Sequence, residues 1–298
     1  MSALAQPAPG SRLHADRRYR RRRLLSRAVE GISTLAAALA VAVLALVIVS
    51  VALRAAPAIN LDFFTKDPAP FGAPGGGIRD MIVGSAILVG IASAIAIPLG
   101  ILVAIYTTEF AGHRVATTIR FALDILNGVP TIVVGIFIYG LLVIGRTQSG
   151  WAGALALSVV ELPIVARSAQ EVLGLVPRAL HEAGLALGLR RWRIVLRIVL
   201  PTAAGGLLTG AVLGVARVAG ETAPLLFTTS IFSTFGTPTN PGEALPNIPV
   251  EIFSLSESPS PQDHARAWAA ALVLVGFVLI VSIVARTFNE RSRRRLGS

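Results

Sequence analysis

The chain contains no cysteine, which excludes disulfides and thiolate metal sites. Histidine is scarce. His14, His113, His181 and His264 are scattered through polar segments, none at ligand spacing from another, so no metal site is expected. The single lysine, Lys66, follows Phe64 and Thr65 rather than a glycine-rich phosphate loop. A Walker A site needs its lysine at the β- and γ-phosphates. This chain therefore carries no standard P-loop, and any ATP must be hydrolysed by a partner. Charge is sparse too: 14% of 298 residues, against about a quarter in soluble domains.

What fills the space is apolar. Hydrophobic residues make up 54% of the chain and the mean hydropathy is +0.71. Such a composition belongs to an integral membrane protein. Apolar runs long enough to cross a bilayer fall near 31–53, 81–106, 121–144, 151–167, 203–228 and 267–286. The fourth is the weakest, because Glu161 and Pro163 interrupt it. The first lies behind a long basic stretch and is too long for a signal-peptide core, so it reads as an uncleaved span. The expected architecture is all-α, a polytopic protein with six transmembrane helices.

Basic residues fix the orientation. Of 27, 21 lie in segments 1–30, 107–120, 167–200 and 286–298, which all fall on one side. The positive-inside rule puts that side, with both termini, in the cytoplasm. The domains expected are a basic, disordered tail over 1–30, a transmembrane domain over 31–287 with a cytoplasmic loop at 168–200, and a basic tail over 288–298. The run Arg17-Arg18-Tyr19-Arg20-Arg21-Arg22-Arg23 adjoins a span, so it reads as a topology signal touching anionic membrane lipids. No nucleic-acid partner is expected from it. Two outward loops, 55–80 and 229–266, are rich in Gly and Pro; each suits either an external partner or a plain connector.

Gly84, Ala86, Gly90, Ala92 and Ala94 in the second span, and Gly205, Gly206, Gly210 and Gly214 in the fifth, let helix backbones approach. Pro98, Pro130 and Pro163 remove backbone donors inside apolar runs and are expected to kink them.

The most distinctive stretch is the fourth-to-fifth connection. After Pro177 comes a short helix, stopped at Gly188, a residue suited to a left-handed turn. Then Trp192, Val195, Leu196 and Val199 repeat at helical spacing, with Arg190, Arg193 and Arg197 on another stripe. That pattern predicts an amphipathic helix at the inner membrane surface, with a new span starting at Pro201. Glu182, Ala183, Gly184, Gly188, Ile198, Leu200 and Pro201 match, in order and spacing, the EAA loop of bacterial ABC importer permeases. The chain resembles that family; Gly184 departs from the common alanine but stays small. The resemblance implies that Glu182, Ala183, Gly184 and Gly188 contact an ATPase subunit.

A second likeness concerns the substrate. Ala216 to Thr228 resembles the signature of phosphate permeases of the PstA type, supported by Asn127–Phe137, Leu162–Arg167 and Leu245–Phe253. It implies a multi-pass protein of the bacterial cytoplasmic (inner) membrane and half of an inorganic phosphate pathway. The other parts would be a PstC-like permease, a PstB-like ABC ATPase dimer and an extracytoplasmic PstS-like phosphate-binding protein. The chain itself would bind no cofactor; ATP and Mg would sit on the ATPase. A permease for molybdate or sulfate and an ion-coupled secondary transporter are the alternatives. The Gly220-to-Thr228 stretch argues against the first, and the lack of evident paired repeats against the second. No cluster of His, Asp or Ser at catalytic spacing suggests an enzyme.

Arg217 and Glu221, four apart, can pair on one helix face. They either neutralise each other to order the bundle or offer a guanidinium to phosphate, with Thr222 adding a hydroxyl. Arg217 lies roughly 24 Å beyond Pro201 and Arg167 roughly 24 Å from Trp151 along their helices. Arg167 is either the inner end of the same anion path or a rim charge. Asp124 and Glu161 are expected to pair structurally, with partners that the sequence does not name.

Overall fold

The computed structural model describes residues 17–229 and 239–296. The proline-rich start around Gln6–Gly10 and part of the second outward loop, 230–238, lie outside the described residues. The chain falls into two units, 1–50 and 51–298, taken in turn.

The first unit is most of α1 (Arg17–Ala55). No charge interrupts residues 31–53, which at 1.5 Å per residue cover about 35 Å, enough for a hydrocarbon core. Residues 21–47 are exposed throughout, and their apolar side chains suit lipid. The basic run from Arg17 is not part of a disordered tail: it forms the first turns of this helix. Residues 288–296 are likewise helical, as the end of α12.

The second unit opens with α2 (Leu61–Thr65), capped by Asn60, whose Oδ1 accepts from Phe63 N at 2.8 Å. There follow α3 (Arg79–Ile105), α4 (His113–Gly128), α5 (Thr131–Ile138), α6 (Gly150–Gly174), α7 (Arg178–Ala186) and α8 (Arg191–Ile194). The remainder are α9 (Leu200–Ala219), α10 (Leu225–Thr228), α11 (Ile248–Ser256) and α12 (Pro261–Leu296). Five helices are long and apolar enough to span a membrane, and α4 with α5 forms a sixth, broken candidate bent by 94°. The break explains why the run 121–144 is not one helix. Pro130 has no N–H to continue α4 and forces Val129 into extended backbone (ψ 128°).

The run that looked weakest, 151–167, is the most buried of these spans: it is the core of α6, which lies against both α3 and α9. A helix surrounded by helices need not be apolar to lipid, so it tolerates Glu161 and Pro163, both buried. Small residues make the contact. On α3, Gly84, Leu88, Ala92, Ala96, Gly100 and Ala104 are buried at every fourth position. On α9, a Cβ added at Gly206, Gly210 or Gly214 would meet Val172, Ser168 and Val165 of α6 respectively. Ala86, Gly90 and Ala94 lie on the opposite, exposed face of α3, so only part of the small-residue pattern packs within this chain.

The amphipathic stretch 189–200 is not a separate surface helix. It continues into the fifth span as one helix from Arg191 to Ala219. A widened turn at Val195–Val199, where Leu200 N bonds Val195 O, precedes Pro201 and carries the helix past a residue with no donor. At its other end the span stops at Ala219, not 228.

At the end of the unit opposite α7, Asp263 is fully buried and gathers Ser258 Oγ, Gly72 N at 2.9 Å and Arg266. Arg266 also donates to Ala69 O at 3.1 Å. This network ties the glycine-rich loop before α3 to the start of α12.

Candidate functional site

The short helix α7 is built as the sequence predicts. Gly188 ends it at φ +73°, a conformation other residues reach only with strain, and Leu189 N bonds back to Gly184 O at 3.1 Å. Gly184 is buried, and a Cβ there would lie 2.9 Å from Ile194 and 3.3 Å from Ile198. The two halves of the motif therefore touch: Ile198 packs where Gly184 leaves room, and only a small residue fits.

His181 faces the bundle from the same helix. Its Nε2 lies 3.0 Å from Glu109 Oε2, on the widened turn Tyr106–Phe110 that ends α3. Glu182 and Ala183, one step round, are exposed, as are Leu185, Ala186 and Leu187. So α7 is held by one face, through Gly184 and His181, and presents the other.

At the far end of α9 the Arg217 guanidinium is ion-paired with Glu221. The two are unequal: the Arg217 side chain is 56% exposed and that of Glu221 7%. The carboxylate is thus anchored, and the guanidinium keeps open donors. The pair does not share a helix. Gly220 closes α9, and Glu221 leads the turn into α10, its N–H bonding Val218 O at 3.1 Å. Thr222 is half-buried at that turn, where its carbonyl accepts from Leu225 N at 3.0 Å. Its hydroxyl has no hydrogen-bond partner among the described residues.

Arg167 is engaged differently. Its Nη2 lies 2.6 Å from Asp124 of α4, and its Nη1 donates to Gln170 Oε1 at 3.3 Å. Gln170 in turn donates to Thr107 Oγ1 at 2.8 Å. The α6–α9 register places Arg217 level with Glu161, about 9 Å along the bundle from Arg167 at 1.5 Å per residue. Glu161 is fully buried, with Ser93 Oγ 3.0 and 3.1 Å from its two oxygens. Asp124 and Glu161 stand out in the sequence as charges in apolar runs, but their partners do not. Glu109 carries no such signal, because it lies in a polar connection whose arginines mark only topology.

The bundle is thus centred on α6, packed between α3 and α9, with the short helix α7 held against one end. Residues 96–294 match the model for the binding-protein-dependent transport system inner membrane component, and the chain belongs to that family. Among its relatives is the phosphate transport system permease protein PstA of Yersinia pestis, 40% identical over 237 residues, 79% of this chain and 80% of that protein. The PstA protein of Xylella fastidiosa (strain Temecula1) is 38% identical over 279 residues, 92% of this chain and 96% of its own. A probable PstA of Methanocaldococcus jannaschii is 40% identical over 213 residues, 71% and 75% of the two chains.

Solved structures agree on the fold. A bacterial ABC transporter for the acidic polysaccharide alginate aligns with TM-score 0.62 at 16% identity, covering 90% of this chain and 98% of that one. The inward-facing MetNI methionine transporter aligns with TM-score 0.57 at 18% identity, covering 72% and 95%. The chain is a multi-pass membrane protein with the fold of ABC importer permeases.

Proposed function

We propose that the chain is the permease subunit of an ATP-driven importer of inorganic phosphate in the bacterial inner membrane. The observation that carries the substrate is the half-open Arg217 guanidinium held by buried Glu221, in a chain 40% identical to a PstA protein over 237 residues. A guanidinium fork suits a tetrahedral oxyanion, and an anchored carboxylate keeps it aimed without quenching it. Thr222, whose hydroxyl has no partner among the described residues, adds a second donor.

Both termini and α7 face the cytoplasm in this reading, by the distribution of arginines. Through its exposed face α7, with Glu182 and Ala183, meets a PstB-like ATPase dimer; Gly184 and Gly188 shape the helix for it. ATP and Mg belong to that partner. A PstC-like permease supplies the other half of the path, and a PstS-like binding protein delivers phosphate from outside. Arg167, already neutralised by Asp124 and about 9 Å further in, serves as the inner station of the path when that ion pair opens. Transport in cells lacking their own phosphate permease subunit tests the reading. Restored phosphate uptake without sulfate or molybdate uptake supports it; uptake of either without phosphate refutes it.

A further inference from the structure

At the α7 end of the bundle lies a cleft of about 410 Å³. Three arginines from three elements line it: Arg120 at the middle of α4, Arg178 at the start of α7 and Arg191 at the start of α8. None of the three side chains has an ion pair or hydrogen bond among the described residues. His181 and Glu109 also line the cleft. Glu109, the one carboxylate there, is occupied by His181 Nε2 at 3.0 Å. His181 Nδ1 is buried, with no hydrogen-bond partner among the described residues. Thr108 and Gln170 complete the polar wall.

Three guanidiniums around one cleft repel one another, and one committed carboxylate does not balance them. A single ligand relieves this: a compact, multiply charged oxyanion with several acceptor oxygens. We propose that this cleft is a second oxyanion site, separate from Arg217, that takes a phosphate group from the cytoplasmic side. The group is either free inorganic phosphate or the headgroup phosphate of an anionic lipid of the inner leaflet. Because the donors belong to α4, α7 and α8, an occupant ties α7 to the bundle and stiffens the helix that meets the ATPase. The inference uses the inward orientation proposed above and does not depend on Arg217 touching substrate.

The full chain in lipid nanodiscs tests it, with Arg217→Gln as the background so that the path arginine contributes nothing. In phosphatidylcholine discs, radiolabelled inorganic phosphate is titrated; in a second arm, discs doped with phosphatidic acid are analysed for retained lipid by native mass spectrometry. Saturable binding in the first arm identifies free phosphate as the ligand, and selective retention in the second identifies the headgroup. In whichever arm binds, Arg178→Gln with Arg191→Gln is expected to weaken binding by about tenfold or more, as for lost charge-assisted bonds. Arg120→Gln, on a different helix, should weaken it as well. No binding in either arm, or binding unchanged by either set of substitutions, overturns the proposal. Uptake lost in Arg217→Gln while the cleft fails to bind would remove this site and leave the transport reading intact.

Discussion

His181 Nε2 sits 3.0 Å from Glu109 Oε2, fastening α7 to the widened turn that closes α3. A movement of α7 is thus passed into a transmembrane helix through one polar contact and the Gly184–Ile198 packing. Glu109→Gln weakens the contact by on the order of 1 kcal/mol. The chain should still insert, but phosphate moved per ATP should fall several-fold. Glu182→Lys, on the exposed face, should instead lower the affinity for the ATPase while the thermal transition stays unchanged. Paired measurements of uptake and ATPase co-purification separate the two effects.

Arg217→Gln should cut phosphate uptake by about tenfold to a hundredfold, the loss expected for a charge-assisted contact. Because Glu221 is buried and would lose its partner, the variant should also lose about 1–3 kcal/mol of stability, so uptake is compared at equal amounts of assembled complex. Uptake near the wild-type rate with the complex assembled would make the pair a purely structural one.

Two glycines of α3 make a matched test of packing. A Cβ at Gly84 would collide with the Pro246 carbonyl, a backbone atom, whereas one at Gly90 meets nothing. Gly84→Ala should destabilise the purified chain by about 1–3 kcal/mol. Gly90→Ala should leave its melting temperature in detergent where it was or slightly higher, because alanine favours the helix. Equal melting temperatures for the two variants would contradict the packing of α3 on the 239–247 segment.

Glu251, in α11, is pH-sensitive. Burial pushes its carboxyl up to about 7; Arg266 nearby pulls it down and Asp263 adds to the rise. A raised folded-state value means that the stability it contributes is complete below the unfolded value and is lost as pH rises through about 7. The melting temperature should therefore fall from about pH 6 to about pH 8, and Glu251→Gln should flatten that slope.

Much of this was legible in the chain itself. Gly188 as the stop of α7 follows from backbone freedom, and the α7 motif follows from spacing. The helical spans follow from hydropathy, except where burial replaced lipid as the surroundings. Glu161 and Pro163 made α6 look like the poorest span because they were weighed against hydrocarbon, while its neighbours are α3 and α9. The break at Pro130 was foreseen as a kink, not as a 94° turn that divides the span. Arg167–Asp124 and His181–Glu109 could not be read at all: each joins residues more than forty positions apart, and only tertiary packing brings them together. Glu221 was placed on the helix of Arg217 by a count of four, yet Gly220 ends that helix first.

The most direct measurement is phosphate entry into proteoliposomes that hold this chain with its second permease, ATPase and binding protein. Phosphate should accumulate only when the ATPase is present and supplied with ATP. Phosphate transport by the purified chain alone, with no ATPase in the membrane, would contradict an ATP-driven permease subunit.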